Sequence, residues 1–175
     1  GWDAVFDALI AHPAILPYLQ SFMKDSQLVN TWSISKFEGR GATGWHHGIP
    51  VGEYTVDGGV IYTSMLNVVI MLTPNHPGDG CFTVIPGSHK RNFTLNHTRW
   101  LTAGLETPGA IEVTGEPGDV MLFSEALSHA GSAKTTKRRR TTLQYNHVDR
   151  QRIDLMSDMQ NVRHFWMPPV VRARF

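Results

Sequence analysis

The run Val60-Ile61-Tyr62-Thr63-Ser64-Met65-Leu66-Asn67-Val68-Val69-Ile70-Met71-Leu72 decides the fold class. It is long and apolar, and its content of Val, Ile, Tyr and Thr favours a strand over a helix. After it, Thr73 to Gly80 (Thr-Pro-Asn-His-Pro-Gly-Asp-Gly) is a strong turn. Cys81 to Ile85 then reads as a short strand stopped by Pro86-Gly87. Ala110 to Val113, Val120 to Phe123 and Arg139 to Val148 read as further strands, separated by turns such as Gly115-Glu116-Pro117-Gly118. Before the run, Leu28 to Phe37 looks like a strand, and a loop with Gly39, Gly41 and Gly44 leads into Trp45. Trp2, Val5, Phe6, Leu9 and Ile10 have helical spacing over Trp2–Ala11, ended by His12-Pro13. Ala14 to Met23 reads as a second short helix with Pro17 in its first turn. Helices followed by many short strands predict a mostly β sandwich or barrel with the N-terminal helices packed outside.

A length of 175 residues predicts one domain over 1–175, and the start at Gly1 leaves open that an N-terminal segment is missing. Hydrophobic residues make up 41%, enough for a core. A net charge of +1 gives no global field for nucleic acid or an anionic membrane. The basic cluster Lys134 to Arg140 reads as a solvated strand entry. Cys81 is the single cysteine, which rules out an internal disulfide and fits a reducing, cytoplasmic setting. There is no secretory signal and no apolar run long enough to span a bilayer.

Of nine histidines, context raises two. His46 follows an aromatic residue at the end of a glycine-rich loop, and His129 follows the Val120–Phe123 strand and a short linker. In a small barrel such strand ends line the mouth, where ligands bind. Successive strand residues point to opposite faces, so only one of His46 and His47 should face the lumen. Taken singly, each histidine is an ordinary surface or hydrogen-bonded side chain. Arg138, Arg140, Thr142 and Gln144 share one strand face; Arg139, Thr141, Leu143 and Tyr145 share the other. The first set suits a wet lumen in which a guanidinium grips a carboxylate. The same alternation also fits an exposed polar face.

Read in order, Trp45-His46, Val84-Ile85-Pro86-Gly87-Ser88-His89-Lys90, Gly118-Asp119-Val120-Met121-Leu122-Phe123, His129, Arg140 and Tyr145 resemble the phytanoyl-CoA dioxygenase family of iron(II)/2-oxoglutarate oxygenases. The likeness covers about Ser33 to Val148. It implies a double-stranded β-helix core (a jelly-roll or cupin-like barrel) and Fe(II) held by His46 and His129. It also implies a 2-oxoglutarate co-substrate paired with Arg140, which stands 11 residues after His129. His89 looks like a structural part of its turn. The implied activity is oxidation, by hydroxylation or halogenation, of an unactivated C–H in a small-molecule substrate, with no protein nucleophile required.

Gly48 departs from this pattern, because the family carries Asp or Glu two residues after the first histidine. A chloride or a water could take the vacated position, as in related halogenases with Gly or Ala there. Glu53 or Asp57 could supply a carboxylate from the following loop. A third outcome is loss of iron, leaving a jelly-roll binding protein. A cupin-like enzyme with another metal and no oxo-acid is a further reading, but it leaves Arg140 without a carboxylate partner. Candidate lids are the Gly39–Tyr54 loop, the Asn92–Leu105 segment and the tail from Asn161 to Phe175, which also suits core packing or a homodimer contact.

Overall fold

The computed structural model describes residues 3–96 and 104–151. The predicted Asn92–Leu105 lid is therefore described only at its two ends, and the Asn161–Phe175 tail lies outside the described residues.

Two short helices open the chain, α1 (Ala4–Ile10) and α2 (Leu16–Phe22). The Asp3 carboxylate caps α1 by accepting the Val5 N–H at 3.0 Å. At seven residues each, neither helix is stable alone, so tertiary packing must hold them. That packing is an apolar layer in which Ile10, Ile15, Leu19 and Met23 meet Leu28, Leu66, Val68, Ile70, Leu143 and Tyr145. The Tyr145 hydroxyl also donates to the Phe6 carbonyl at 3.2 Å, pinning α1 to the sheet beneath.

Among the described residues nine strands follow: β1 (Ser26–Lys36), β2 (Tyr54–Asp57), β3 (Val60–Thr63), β4 (Met65–Met71), β5 (Phe82–Val84), β6 (Ile111–Val113), β7 (Val120–Ser124), β8 (His129–Gly131) and β9 (Arg140–Asp149). They form a four-stranded sheet in the order β1-β9-β4-β7, a three-stranded sheet β6-β5-β8 and a hairpin β2-β3. Every pairing is antiparallel. The chain is thus mostly β, with the N-terminal helices on the outer face of the larger sheet.

The run Val60–Leu72 is not one strand, as the sequence suggested. It breaks at the fully buried Ser64 into β3, which pairs only with β2, and β4, which lies inside the four-stranded sheet. Ser64 marks the change of partner: its N–H donates to the Glu53 carbonyl at 3.0 Å, and its carbonyl accepts from Asp149 N–H at 2.9 Å. The β2-β3 hairpin was not anticipated, yet its signal is visible. Gly58 and Gly59 both have positive φ between the paired residues Asp57 and Val60, as a tight two-residue hairpin turn requires.

Alternation then sorts the larger sheet. On β9, Leu143 and Tyr145 join the helix-facing layer, while Arg140, Gln144 and Asn146 line a cavity on the opposite face. On β1 the register shifts between Leu28 and Asn30, so Leu28 packs under the helices and Val29 joins a second apolar cluster with Ile49, Met65, Ala126 and Val148. Beyond that bulge Trp32, Ile34 and Lys36 face the cavity.

The basic cluster is not uniformly solvated. Lys137, Arg138 and Arg139 are exposed, but Lys134 is buried. Its ammonium lies 3.5 Å from Asp79, which also meets the Arg138 guanidinium at 3.1 Å. Burial opposes ionisation of Asp79, but hydrogen bonds from Thr136, His76 N–H and Arg138 prevail and hold its carboxyl well below the ordinary range.

Candidate active site

A cavity of about 410 Å³ lies between the four-stranded and three-stranded sheets. His46 and His129 meet at its wall. They form an isolated antiparallel bridge, each N–H donating to the other's carbonyl at 2.9 Å. Their rings stand edge to face with centroids 4.1 Å apart. His46 Nδ1 lies 3.0 Å from the Gly44 carbonyl, and His129 Nδ1 lies 2.8 Å from the Leu127 carbonyl. A carbonyl can only accept, so each Nδ1 carries the hydrogen, and each Nε2 presents a lone pair suited to a metal. Phe82 stacks on His129 at 5.1 Å and Phe123 meets it edge-on at 4.9 Å, which fixes that ring further. His47 does not line the cavity; neither does His89, whose ring packs edge-on against Tyr54 at 4.6 Å.

Arg140 and Lys36 also line the cavity. They are direct cross-strand partners on β9 and β1. Arg140 is 3% exposed and its Nε donates to Asn75 Oδ1 at 2.9 Å. Asn75 is itself fixed by paired backbone bonds to Gly115, of 2.9 and 3.0 Å. Lys36 Nζ donates to the Ser132 carbonyl at 3.1 Å. Burial, and after it the neighbouring Arg140 charge, brings the Lys36 ammonium down to about 8. Two cations side by side in a partly closed space form a site for an anion.

Gly48 lines the cavity, and what lies beside it was not foreseen. A Cβ built at residue 48 would lie 2.9 Å from Glu125 Cδ and closer still to Oε2. The Glu125 carboxyl therefore fills the space that a side chain at 48 would need. Its Oε2 lies 3.8 Å from His129 Nε2, and its Oε1 accepts from Asn67 Nδ2. Burial is the largest influence on Glu125 and raises it to about 7, against the pull of hydrogen bonds from Asn67 and from Gly48 N–H. Glu53 and Asp57, the carboxylates expected from the following loop, are not among the cavity residues. Among the described residues no three His, Cys, Asp or Glu side chains are drawn into a closed metal cage. His46, His129 and Glu125 are neighbours that stop short of one.

The phytanoyl-CoA dioxygenase (PhyH) family model matches residues 2–142. The chain belongs to this family. A curated relative, the dioxygenase lolE1 of Epichloe uncinata, is 30% identical over 106 residues, which is 59% of this chain and 41% of that protein. The chain thus spans less than half the length of that relative. Among solved structures, HygX from Streptomyces hygroscopicus with nickel and 2-oxoglutarate bound is 23% identical, with a TM-score of 0.73, covering 85% of this chain and 68% of HygX. HygX has also been solved with iron bound and with hygromycin B present. The 2-oxoglutarate-dependent epimerase SnoN from nogalamycin biosynthesis is 20% identical, with a TM-score of 0.60 over 84% of this chain and 57% of SnoN. At these identities the structural likeness speaks for the fold.

Within a PhyH-family chain, the residues that sequence reasoning missed are Glu125, Lys36 and Asn67. Each left a trace. Glu125 directly follows β7 and stands four residues before His129. Lys36 continues the inward alternation of Trp32 and Ile34. Asn67 is a lone polar residue inside an otherwise apolar strand.

Proposed function

We propose that this chain is an iron(II)- and 2-oxoglutarate-dependent oxygenase that oxidises an unactivated C–H of a small molecule. One observation carries the reading: the His46 and His129 imidazoles, each held through Nδ1 by a backbone carbonyl, share a cavity with a paired Lys36–Arg140 cation site. The two sheets would be the halves of the double-stranded β-helix that the motifs imply. The fit to iron rests on the donor set, two histidines each fixed through Nδ1 to a backbone carbonyl, with His46 and His129 as ligands. Bound iron(II) and 2-oxoglutarate supply the oxidising chemistry with dioxygen, the oxo-acid leaving as succinate and carbon dioxide.

The protein's own part is positioning. Arg140 and Lys36 receive the distal carboxylate, with Asn75 holding the guanidinium in place. Phe82, Phe123 and Met65 give the cavity apolar walls that exclude water. A volume of about 410 Å³ falls in the range of small-molecule sites, as hygromycin B bound to HygX illustrates for a neighbour of the same fold. Hydroxylation is favoured over halogenation, since a chloride beside Gly48 would have to displace the Glu125 carboxyl.

The test is an anaerobic titration with iron(II) and 2-oxoglutarate, followed by the visible metal-to-ligand charge-transfer band, with and without chloride. The band should develop in the native chain and vanish in His46→Ala and His129→Ala. No band at saturating 2-oxoglutarate would replace the enzyme reading with that of a binding protein which has lost its metal.

A further inference from the structure

The family's metal site takes a carboxylate two residues after its first histidine, and here that position is Gly48. Resting on the metal reading above, we infer that the Glu125 carboxylate is the third protein ligand, reaching through space the place that Gly48 leaves open in the chain.

Four observations converge on Glu125. The first is occupancy: a side chain at residue 48 would begin 2.9 Å from Glu125 Cδ, so the two cannot both fill this space. The second is the backbone. Gly48 has no positive φ, so its conformation does not call for glycine. Space for Glu125 does call for it. The Gly48 N–H also donates to the Glu125 carbonyl at 2.9 Å, which fixes the two segments together.

The third is distance. Two donors on one metal at about 2.1 Å each stand about 3.0 Å apart at a right angle and about 4.2 Å apart when opposite. The 3.8 Å between Glu125 Oε2 and His129 Nε2 lies between these limits, and it is too long for a direct hydrogen bond. A small side-chain rotation would bring the oxygen to a ligating position. The fourth is orientation. Asn67 donates to Oε1, leaving Oε2 directed towards the imidazole, as an outer partner orients a ligating carboxylate. A carboxylate that is 8% exposed, with the His129 imidazole 3.8 Å away, is in an unfavourable setting for its charge, which a divalent metal would relieve. Chloride would find this space taken by a like charge.

The experiment measures metal affinity rather than turnover. Nickel(II) and cobalt(II) are titrated into the native chain, Glu125→Gln, Glu125→Ala, Gly48→Asp and the double variant Gly48→Asp/Glu125→Ala, each shown to be folded by circular dichroism. Loss of an outer partner alone weakens metal binding by roughly 10–100-fold, so loss of this ligand should weaken it by about 100-fold or more. Glu125→Gln and Glu125→Ala should both show that loss. The double variant should recover most of the affinity, because the carboxylate returns to residue 48 in the space that Glu125 vacated. Gly48→Asp alone should bind worse than the double variant, owing to the clash with Glu125. Native affinity in Glu125→Gln, or chloride-dependent affinity in the native chain, overturns the inference while leaving the metal site standing. A native chain that binds neither metal removes both this inference and the oxygenase reading.

Discussion

Lys36 and Arg140 face each other directly across β1 and β9, two buried cations on neighbouring strands. Like charges directly opposite in a sheet destabilise it, so this pair is expected to weaken the empty protein and to serve binding. Arg140→Ala should abolish 2-oxoglutarate binding and spare the metal. Lys36→Met should weaken 2-oxoglutarate by roughly 10-fold or more, as loss of a charge-assisted bond implies, while raising the melting temperature of the empty chain. Calorimetric titration and thermal melts of both variants decide this; unchanged oxo-acid affinity in Arg140→Ala would falsify its role.

The depressed Lys36 ammonium gives that binding a pH signature. Below about 8 the free protein carries the Lys36 charge, and above it the charge is lost. A bound dianion favours the charged form, so affinity should be highest below pH 8 and fall by up to about tenfold per pH unit above it. In Lys36→Met the affinity should be flat across pH 7 to 9.

Two buried groups pull the acid stability of the metal-free chain in opposite directions. His147 is fully buried with its Nδ1 3.2 Å from Ser26 Oγ, and burial lowers it to about 3. Its unfolded form takes up a proton below the ordinary value near 6.5 while the folded form does not, so stability is lost as pH falls below 6.5. Burial raises Glu125 to about 7, so the folded form holds a proton that the unfolded form releases, and stability grows as pH falls from 7 towards 4.5. Each contributes roughly 1.4 kcal/mol per pH unit, with opposite sign, between about pH 5 and 6.5. Urea melts should therefore give a nearly flat native profile in this window. Glu125→Gln should lose stability on acidification and His147→Gln should gain it. Equal slopes in the two variants would contradict the assignment.

Asp79 and Lys134 tie the turn before β5 to the segment that enters β9, and so frame both Asn75 and Arg140. Removing one partner of a buried pair leaves the other charge uncompensated and typically costs about 3–5 kcal/mol. Asp79→Ala is expected to destabilise on that scale and to weaken 2-oxoglutarate binding in the folded fraction, whereas Arg139→Ala, on the exposed side, should change neither by more than about 0.5 kcal/mol. Chemical denaturation and oxo-acid titration of the pair test this together.

Local physics carried the reading of the chain a long way. β-Branched content, Gly/Pro turns and period-2 alternation predicted β1, β4, β5, β6, β7 and β9, because these signals act between residues close in sequence. The same alternation separated Arg140, Thr142 and Gln144 from Leu143 and Tyr145, but it could not say whether the polar face met water or a cavity. That depended on the second sheet, which brings β5, β6 and β8 together from segments far apart in sequence; of these only β8, three residues long, carried no pattern of its own. The break of Val60–Leu72 at Ser64 was equally hidden, since both halves are apolar and only their different partners divide them. Glu125 is the clearest case. Its neighbours in the chain are unremarkable, and its proximity to Gly48 and His129 exists only once β7 turns back into β8 beside the Trp45–Gly48 loop. Strand propensity is a property of neighbouring residues; which carboxylate stands beside a glycine 77 positions away is set by packing.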